Sequence, residues 1–182
     1  MVVRIGARRF VPLVNDVIAR VRLHAGDRAG ALELLEASLA ISRETGVTFW
    51  GPWILGAIAV ASDDPKRRRD ALNEGQAILD QGCVAHNYFW FYRDAIEVSL
   101  AEGDWGRVDG YVTALHDYFR DEPMPWADFI IARGRALAEF GREGCRKSTL
   151  SEIQRLRDEA ERLGMRAELS RLEAALGPAQ PT

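Results

Sequence analysis

Apolar residues recur at spacings of three and four from one end of the chain to the other, and strict alternation with polar residues is nearly absent, which predicts helices throughout. A first helix is expected over about Phe10 to Ala25, with Gly26-Asp27 supplying a stop and then a start. A second over about Arg28 to Thr45 turns Ala31, Leu32, Leu35 and Leu39 inward and ends at Gly46. The third begins near Thr48 to Pro52, where a proline is tolerated in a first turn, and carries Trp53, Leu55, Ile58 and Val60 to a stop at Asp63.

Asp64-Pro65 has the form of an N-cap followed by proline at the first helical position, opening a fourth helix to about Gln81. The fifth spans about His86 to Glu102, and Gly103-Asp104 repeats the punctuation of Gly26-Asp27. A sixth, about Trp105 to Arg120, points Val108, Val112 and Leu115 inward and is closed by Pro123 and Pro125. The seventh is expected from about Pro125 to Phe140 with a stop at Gly141, followed by a charged loop over Arg142 to Lys147. Thr149-Leu-Ser-Glu152 matches a capping box and starts an eighth helix to about Leu163. A last one runs from Met165 to Leu176, and the tail from Pro178 to Thr182 is expected to be disordered.

The fifth segment stands apart. His86-Asn-Tyr-Phe-Trp-Phe-Tyr-Arg-Asp94 holds five successive aromatic residues, and a helix turning about 100° per residue cannot hide five successive rings on one side. Some are expected to point away from the core, as part of a binding surface.

Composition narrows the class. A chain of 182 residues is long enough for one domain burying roughly 70% of the surface its unfolded form exposes. The 47% hydrophobic and 28% charged shares are those of a folded globular protein. A net charge of -3 gives no overall attraction to nucleic acid or anionic lipid. The longest apolar run, Trp53 to Ala61, is too short to cross a bilayer, and Arg8, Arg9, Pro12, Asn15 and Asp16 break up any signal-peptide core. A cytoplasmic protein is expected. Cys83 and Cys145, the two cysteines, have no CxxC or histidine partner at ligand spacing, so neither a metal site nor a cofactor is expected.

Chemistry has few candidates. His86 lies near Asp94 and Glu97, but no nucleophile is paired with it in a recognisable motif, so a hydrogen-bonding histidine is the better reading and a hydrolase the last-ranked one. His24 and His116 have no carboxylate motif around them. Gly141 to Ser148 resembles a phosphate loop only faintly, because the glycine before Lys147 is missing and a helix precedes it where a strand is required. Lys66-Arg67-Arg68-Arg69 is a basic cluster without continuation on other segments, which suits a solvated face better than a nucleic-acid stripe.

The breaks at Gly26-Asp27, Asp63-Asp64, Gly103-Asp104 and Gly141-Arg142 recur at a spacing near that of two-helix repeats. With Leu55-Gly56, Gly134 and the series Ala31, Leu35, Ser38, they resemble the tetratricopeptide family. The match departs at Ile96 and Val108, where that motif has small residues, and at apparent insertions over Pro65 to Arg67 and Arg142 to Lys147. The run His86 to Asp94, Gly103-Asp104-Trp105 and Pro125 to Gly134 are similar to the C-terminal helical-repeat region of bacterial multidomain regulators carrying an adenylate/guanylate cyclase-type domain and an ATPase module. That likeness implies a non-catalytic signalling region, a fragment or a truncated relative.

The resemblance implies an all-α fold over 1–177: an α-solenoid of about four helical hairpins with a C-terminal capping helix, in one domain. The first helix of each hairpin would line a concave groove, placing there Trp50 and Trp53, then His86, Trp90, Arg93 and Glu97, and finally Asp128 and Arg135. Rings give large contact area at low entropy cost and arginine clamps carboxylates, so a peptide or partner domain is the expected guest, with self-association as a further expectation. The alternative is a small-ligand sensor with a closed pocket behind the same aromatics.

Overall fold

The computed structural model describes residues 7–177. A single 3-10 turn, Arg8–Phe10, leads into α1 (Val11–His24), α2 (Arg28–Thr45), α3 (Val47–Ala61), α4 (Pro65–Asp80) and α5 (His86–Glu102). Then follow α6 (Trp105–Tyr118), α7 (Pro125–Glu143), α8 (Lys147–Leu163) and α9 (Arg166–Leu176). The described residues form no strand, so the fold is all-helical. None of these helices is long and apolar enough to cross a membrane. The tail 178–182 lies outside the described residues.

Helix starts follow side-chain chemistry. Asp27, Asp64 and Asp104 each accept a hydrogen bond from a backbone amide of the first turn, from Gly30, Lys66 and Arg107 respectively. Each satisfies one orphan donor, and removal of such a cap typically costs about 1 kcal/mol.

Two boundaries differ from the expectation. Helix α7 passes through Gly141 and ends at Gly144, whose φ is +75°. Gly141 is there for packing: a Cβ on it would lie 2.3 Å from the Trp105 ring. The capping box does not form, because α8 already begins at Lys147 and the Thr149 hydroxyl instead bonds the Glu139 carboxylate at 2.9 Å.

The chain divides into two compact units, Met1–Val98 and Ser99–Thr182, with the boundary inside α5. In the first, α1 packs on α2, α2 on α3 and α3 on α4, and α1 also reaches α3. In the second, α6 packs on α7, α7 on α8 and α8 on α9, with α7 also touching α9. Its core holds Val108, Val112, Leu115, Ile130, Ile153 and Leu156. Arg133 is fully buried there, its Nε donating to the Glu168 carbonyl at 3.0 Å.

Pro52 sits inside α3 and has no amide, so the carbonyl four residues earlier, at Thr48, loses its helical donor. Residues just before and at the start of α5 supply the missing donors. The Val84 amide and Asn87 Nδ2 both reach the Thr48 carbonyl, at 3.2 and 3.1 Å. Asn87 Nδ2 also donates to the Phe49 carbonyl at 3.0 Å, and Asn87 Oδ1 accepts from the Trp53 amide at 3.2 Å. Asn87 is fully buried. Its amide thus fixes the first turn of α5 against the first turns of α3.

Replacing Asn87 with Ala leaves buried carbonyls short of donors and is expected to cost about 1–3 kcal/mol in urea denaturation. Adding Pro52→Ala returns an amide to Thr48, so the double variant should be less destabilised than the sum of the two single changes; strict additivity would dismiss this coupling.

Candidate functional site

Along α5, His86, Tyr88, Trp90, Arg93 and Glu97 are half-buried, whereas Asn87, Phe89, Phe91, Tyr92, Asp94 and Ile96 are buried. Four of these, His86, Trp90, Arg93 and Glu97, follow spacings of four, three and four and share one side of the helix, with Tyr88 off that line. Three of the five successive rings are therefore core, more than a single core-facing stripe allows. The reason is that α5 has neighbours on several sides. Phe91 lies over Gly75 of α4, where a Cβ would come within 2.3 Å of its ring, and Asp94 lies beside Gly56 of α3, where a Cβ would stand 3.2 Å from Asp94 Cβ.

Trp50 and Trp53, expected in the groove, are 6% and 7% exposed and belong to a packed cluster of rings. Trp50 donates Nε1 to the Arg9 carbonyl at 2.8 Å and meets Trp53 and His86 at centroid separations of 5.2 and 4.5 Å. Trp53 stacks on Trp90, 4.7 Å between centroids with planes 15° apart. The guanidiniums of Arg20 and Arg93 lie 5.4 and 5.5 Å from the Trp90 ring centre, within cation–π range.

Those guanidiniums are held by buried carboxylates. Arg20 forks onto Asp94, Nη1 to Oδ1 at 3.2 Å and Nη2 to Oδ2 at 2.8 Å, while its Nε donates to Asp16 at 2.9 Å. Arg93 Nη1 donates to the same Asp94 at 3.1 Å. Asp16 and Asp94 are each 1% exposed. Burial pushes the Asp16 carboxyl above its usual range, against the opposing pull of Arg20 and with added repulsion from Asp94. The Trp53 indole N–H also faces Asp16 and favours its ionised form, although it does not reach hydrogen-bond geometry. For Arg20 burial works against the charge, but Asp94 and Asp16 outweigh it and hold the guanidinium protonated.

His86 Nε2 lies 2.5 Å from the Phe49 carbonyl, and since a carbonyl only accepts, Nε2 carries the hydrogen. Burial lowers the His86 pKa, partly offset by that bond. The ring is a donor to α3.

Asp128 and Arg135 lie on α7 in the second unit, both exposed. The same unit has an apolar hollow of about 290 Å³, whose lining includes Leu100, Trp105, Leu137, Phe140 and Arg171, and none of the expected groove residues line it. Among the described residues no three His, Cys, Asp or Glu side chains are grouped to hold a metal ion.

Sequence reasoning missed Asp16 and Arg20. Their signal was present: an aspartate and an arginine four residues apart on one helix form a pair on one face. No family model matches the chain, and comparison with curated proteins and with solved structures gives no match.

Asp16 keeps its proton to higher pH when folded than when unfolded, so its contribution to stability is fully present below about 3.8 and is lost as pH rises through the raised native value. Asp16→Asn keeps an acceptor for Arg20 without the charge. In urea denaturation its stability relative to the parent should improve between pH 3.5 and pH 7; a difference that does not change with pH would refute the assignment.

Proposed function

We propose that this protein is a non-enzymatic interaction module that holds a peptide segment of a partner against the α5 face bearing His86, Trp90, Arg93 and Glu97. The observation that carries the proposal is the half-buried line these four residues form along one side of α5, with Asn87, Phe89, Phe91, Asp94 and Ile96 buried beside it. Trp90 offers a ring already fixed by Trp53 behind it and by two guanidiniums beside it, so little side-chain entropy remains to be lost on binding. Glu97 and Arg93 place both signs of charge on the same line.

In this reading the chain is a tetratricopeptide-like α-solenoid of four hairpins and a capping helix. Packing of α1 on α2, α2 on α3 and α3 on α4 in the first unit, and of α6 on α7, α7 on α8 and α8 on α9 in the second, supports it, and so does Gly56, whose missing side chain lets α3 and α5 approach closely. The likeness to cyclase-type regulators makes another domain of a signalling protein the natural guest.

Random twelve-residue peptides displayed on phage, selected on the full chain, supply the probe. Binding of selected peptides, measured by calorimetry, should weaken at least about tenfold with Trp90→Ala and by a smaller factor with Arg93→Ala. Trp90→Phe and Arg93→Lys, which disturb the fold less, should lie between those variants and the parent. Selected peptides whose affinity is the same for the parent and all four variants would remove this face from consideration.

A further inference from the structure

Two buried polar atoms face each other where α1 meets α3 without completing a hydrogen bond. Asp16 is 1% exposed and commits Oδ2 to Arg20 Nε, while its Oδ1 has no partner. The Trp53 indole N–H, turned toward that carboxyl, has none either. Trp53 in turn stacks on Trp90, 4.7 Å between centroids. We infer that Asp16 is a proton-binding site whose occupancy sets the position of the Trp53–Trp90 ring pair, so that the α5 face responds to pH.

Hydrogen-bond chemistry gives the two states. Ionised Asp16 offers Oδ1 as an acceptor and Trp53 Nε1 is a donor only, so the pair is drawn toward a charge-assisted bond. Because Arg20 already donates to Oδ2, a bound proton sits on Oδ1. That oxygen is then a donor and at best a weak, uncharged acceptor, and its pull on the indole N–H falls away. The indole ring is otherwise positioned by packing: it stacks on Trp90 with planes 15° apart and meets Trp50 and His86 edge-on at 5.2 and 5.7 Å. Close-packed rings transmit a displacement, so a shift of the N–H edge passes to Trp90 as a change in the stack. The ring pair responds with or without a guest.

The groups around Asp16 come from several elements. Burial raises its value most; Arg20 on α1 opposes that, and Asp94 on α5, itself bonded to Arg20 and Arg93, adds to it, which leaves the carboxyl above its usual 3.8. Helix α2 brings Ser38 to α1, a group that does not titrate and that is bonded to Asn15. The turn before α1 carries Arg8, paired with Glu44, and Arg9, whose guanidinium lies 5.1 Å from the Phe49 ring centre. His86 is a second titratable group at these rings, 4.5 Å from Trp50 between centroids, and burial lowers its value below 6.5. Carboxyl and imidazole therefore both titrate on the acid side of neutrality, and variants are needed to separate them.

Heteronuclear magnetic resonance of the full chain, from about pH 8 down to about pH 3.5 with circular dichroism marking where it stays folded, follows both ends of this link. The Asp16 carboxyl carbon reports the midpoint in the parent, with no variant required. That midpoint should lie above 3.8, and the Trp53 indole proton should move downfield as pH rises through it, with the Trp90 ring protons shifting at the same midpoint. In Asp16→Asn this step should disappear from both rings. In His86→Gln, which keeps a side-chain donor for the Phe49 carbonyl, it should persist. An Asp16 carbon that titrates at or below 3.8, or not at all before the chain unfolds, would overturn the proposal. Rings that stay still while that carbon titrates would do the same. So would a ring step that survives Asp16→Asn and vanishes in His86→Gln, since the imidazole would then be its source.

Discussion

Arg20 joins α1 to α5 through a two-pronged bond to Asp94, and the rest of the aromatic face depends on it. Both carboxylates around this guanidinium are buried, and taking charges out of water costs several kcal/mol per ion, which the pair recovers only through good geometry and complete hydrogen bonding. Asp94 meets that condition, with bonds from both Arg20 and Arg93. Asp16 meets it less well: one oxygen bonds Arg20 Nε, and the other has no partner within hydrogen-bond geometry. The raised pKa of Asp16 expresses that imbalance. Removing one partner of such a cluster strands a buried charge, so the cluster holds α1 against the third turn of α5.

At the other end of the same face the constraint is backbone chemistry. Pro52 withholds the amide that would satisfy the Thr48 carbonyl, and the segment entering α5 compensates with the Val84 amide and the Asn87 side chain. His86 bonds the neighbouring Phe49 carbonyl, which gives it a structural role. In this tautomer Nε2 carries the hydrogen and Nδ1 the lone pair, so the bond fixes the ring's orientation against α3. The proline was visible in the sequence as a first-turn residue. Its consequence was not, because the donors lie more than thirty residues further on.

What was legible follows the range of the interaction. Asp27, Asp64 and Asp104 cap helices beside which they stand in sequence, so the helix starts after them were readable locally. Gly141 and Thr149 were misread because each is claimed by a distant partner, the Trp105 ring in one case and Glu139 in the other. The aromatic run shows the same limit. Periodicity states which residues share a side of α5, and His86, Trp90, Arg93 and Glu97 do; it does not state how many sides the fold covers. Glycines 56 and 75 decide that, by admitting Asp94 and Phe91 close to α3 and α4.

The geometry also changes what a guest on the α5 face would meet. The sequence suggested a free arginine able to clamp a carboxylate through two nitrogens. Arg93 instead has Nη1 bonded to Asp94, and Arg20 has both terminal nitrogens on the same residue. An incoming carboxylate would have to compete with a buried one already in place, which favours the incumbent. The Trp90 ring is engaged as well, with Trp53 stacked on it and the Arg20 and Arg93 guanidiniums within cation–π range of its centre. An acidic guest side chain therefore gains little from these arginines, and contact area along the half-buried line should carry more of any binding energy than charge pairing.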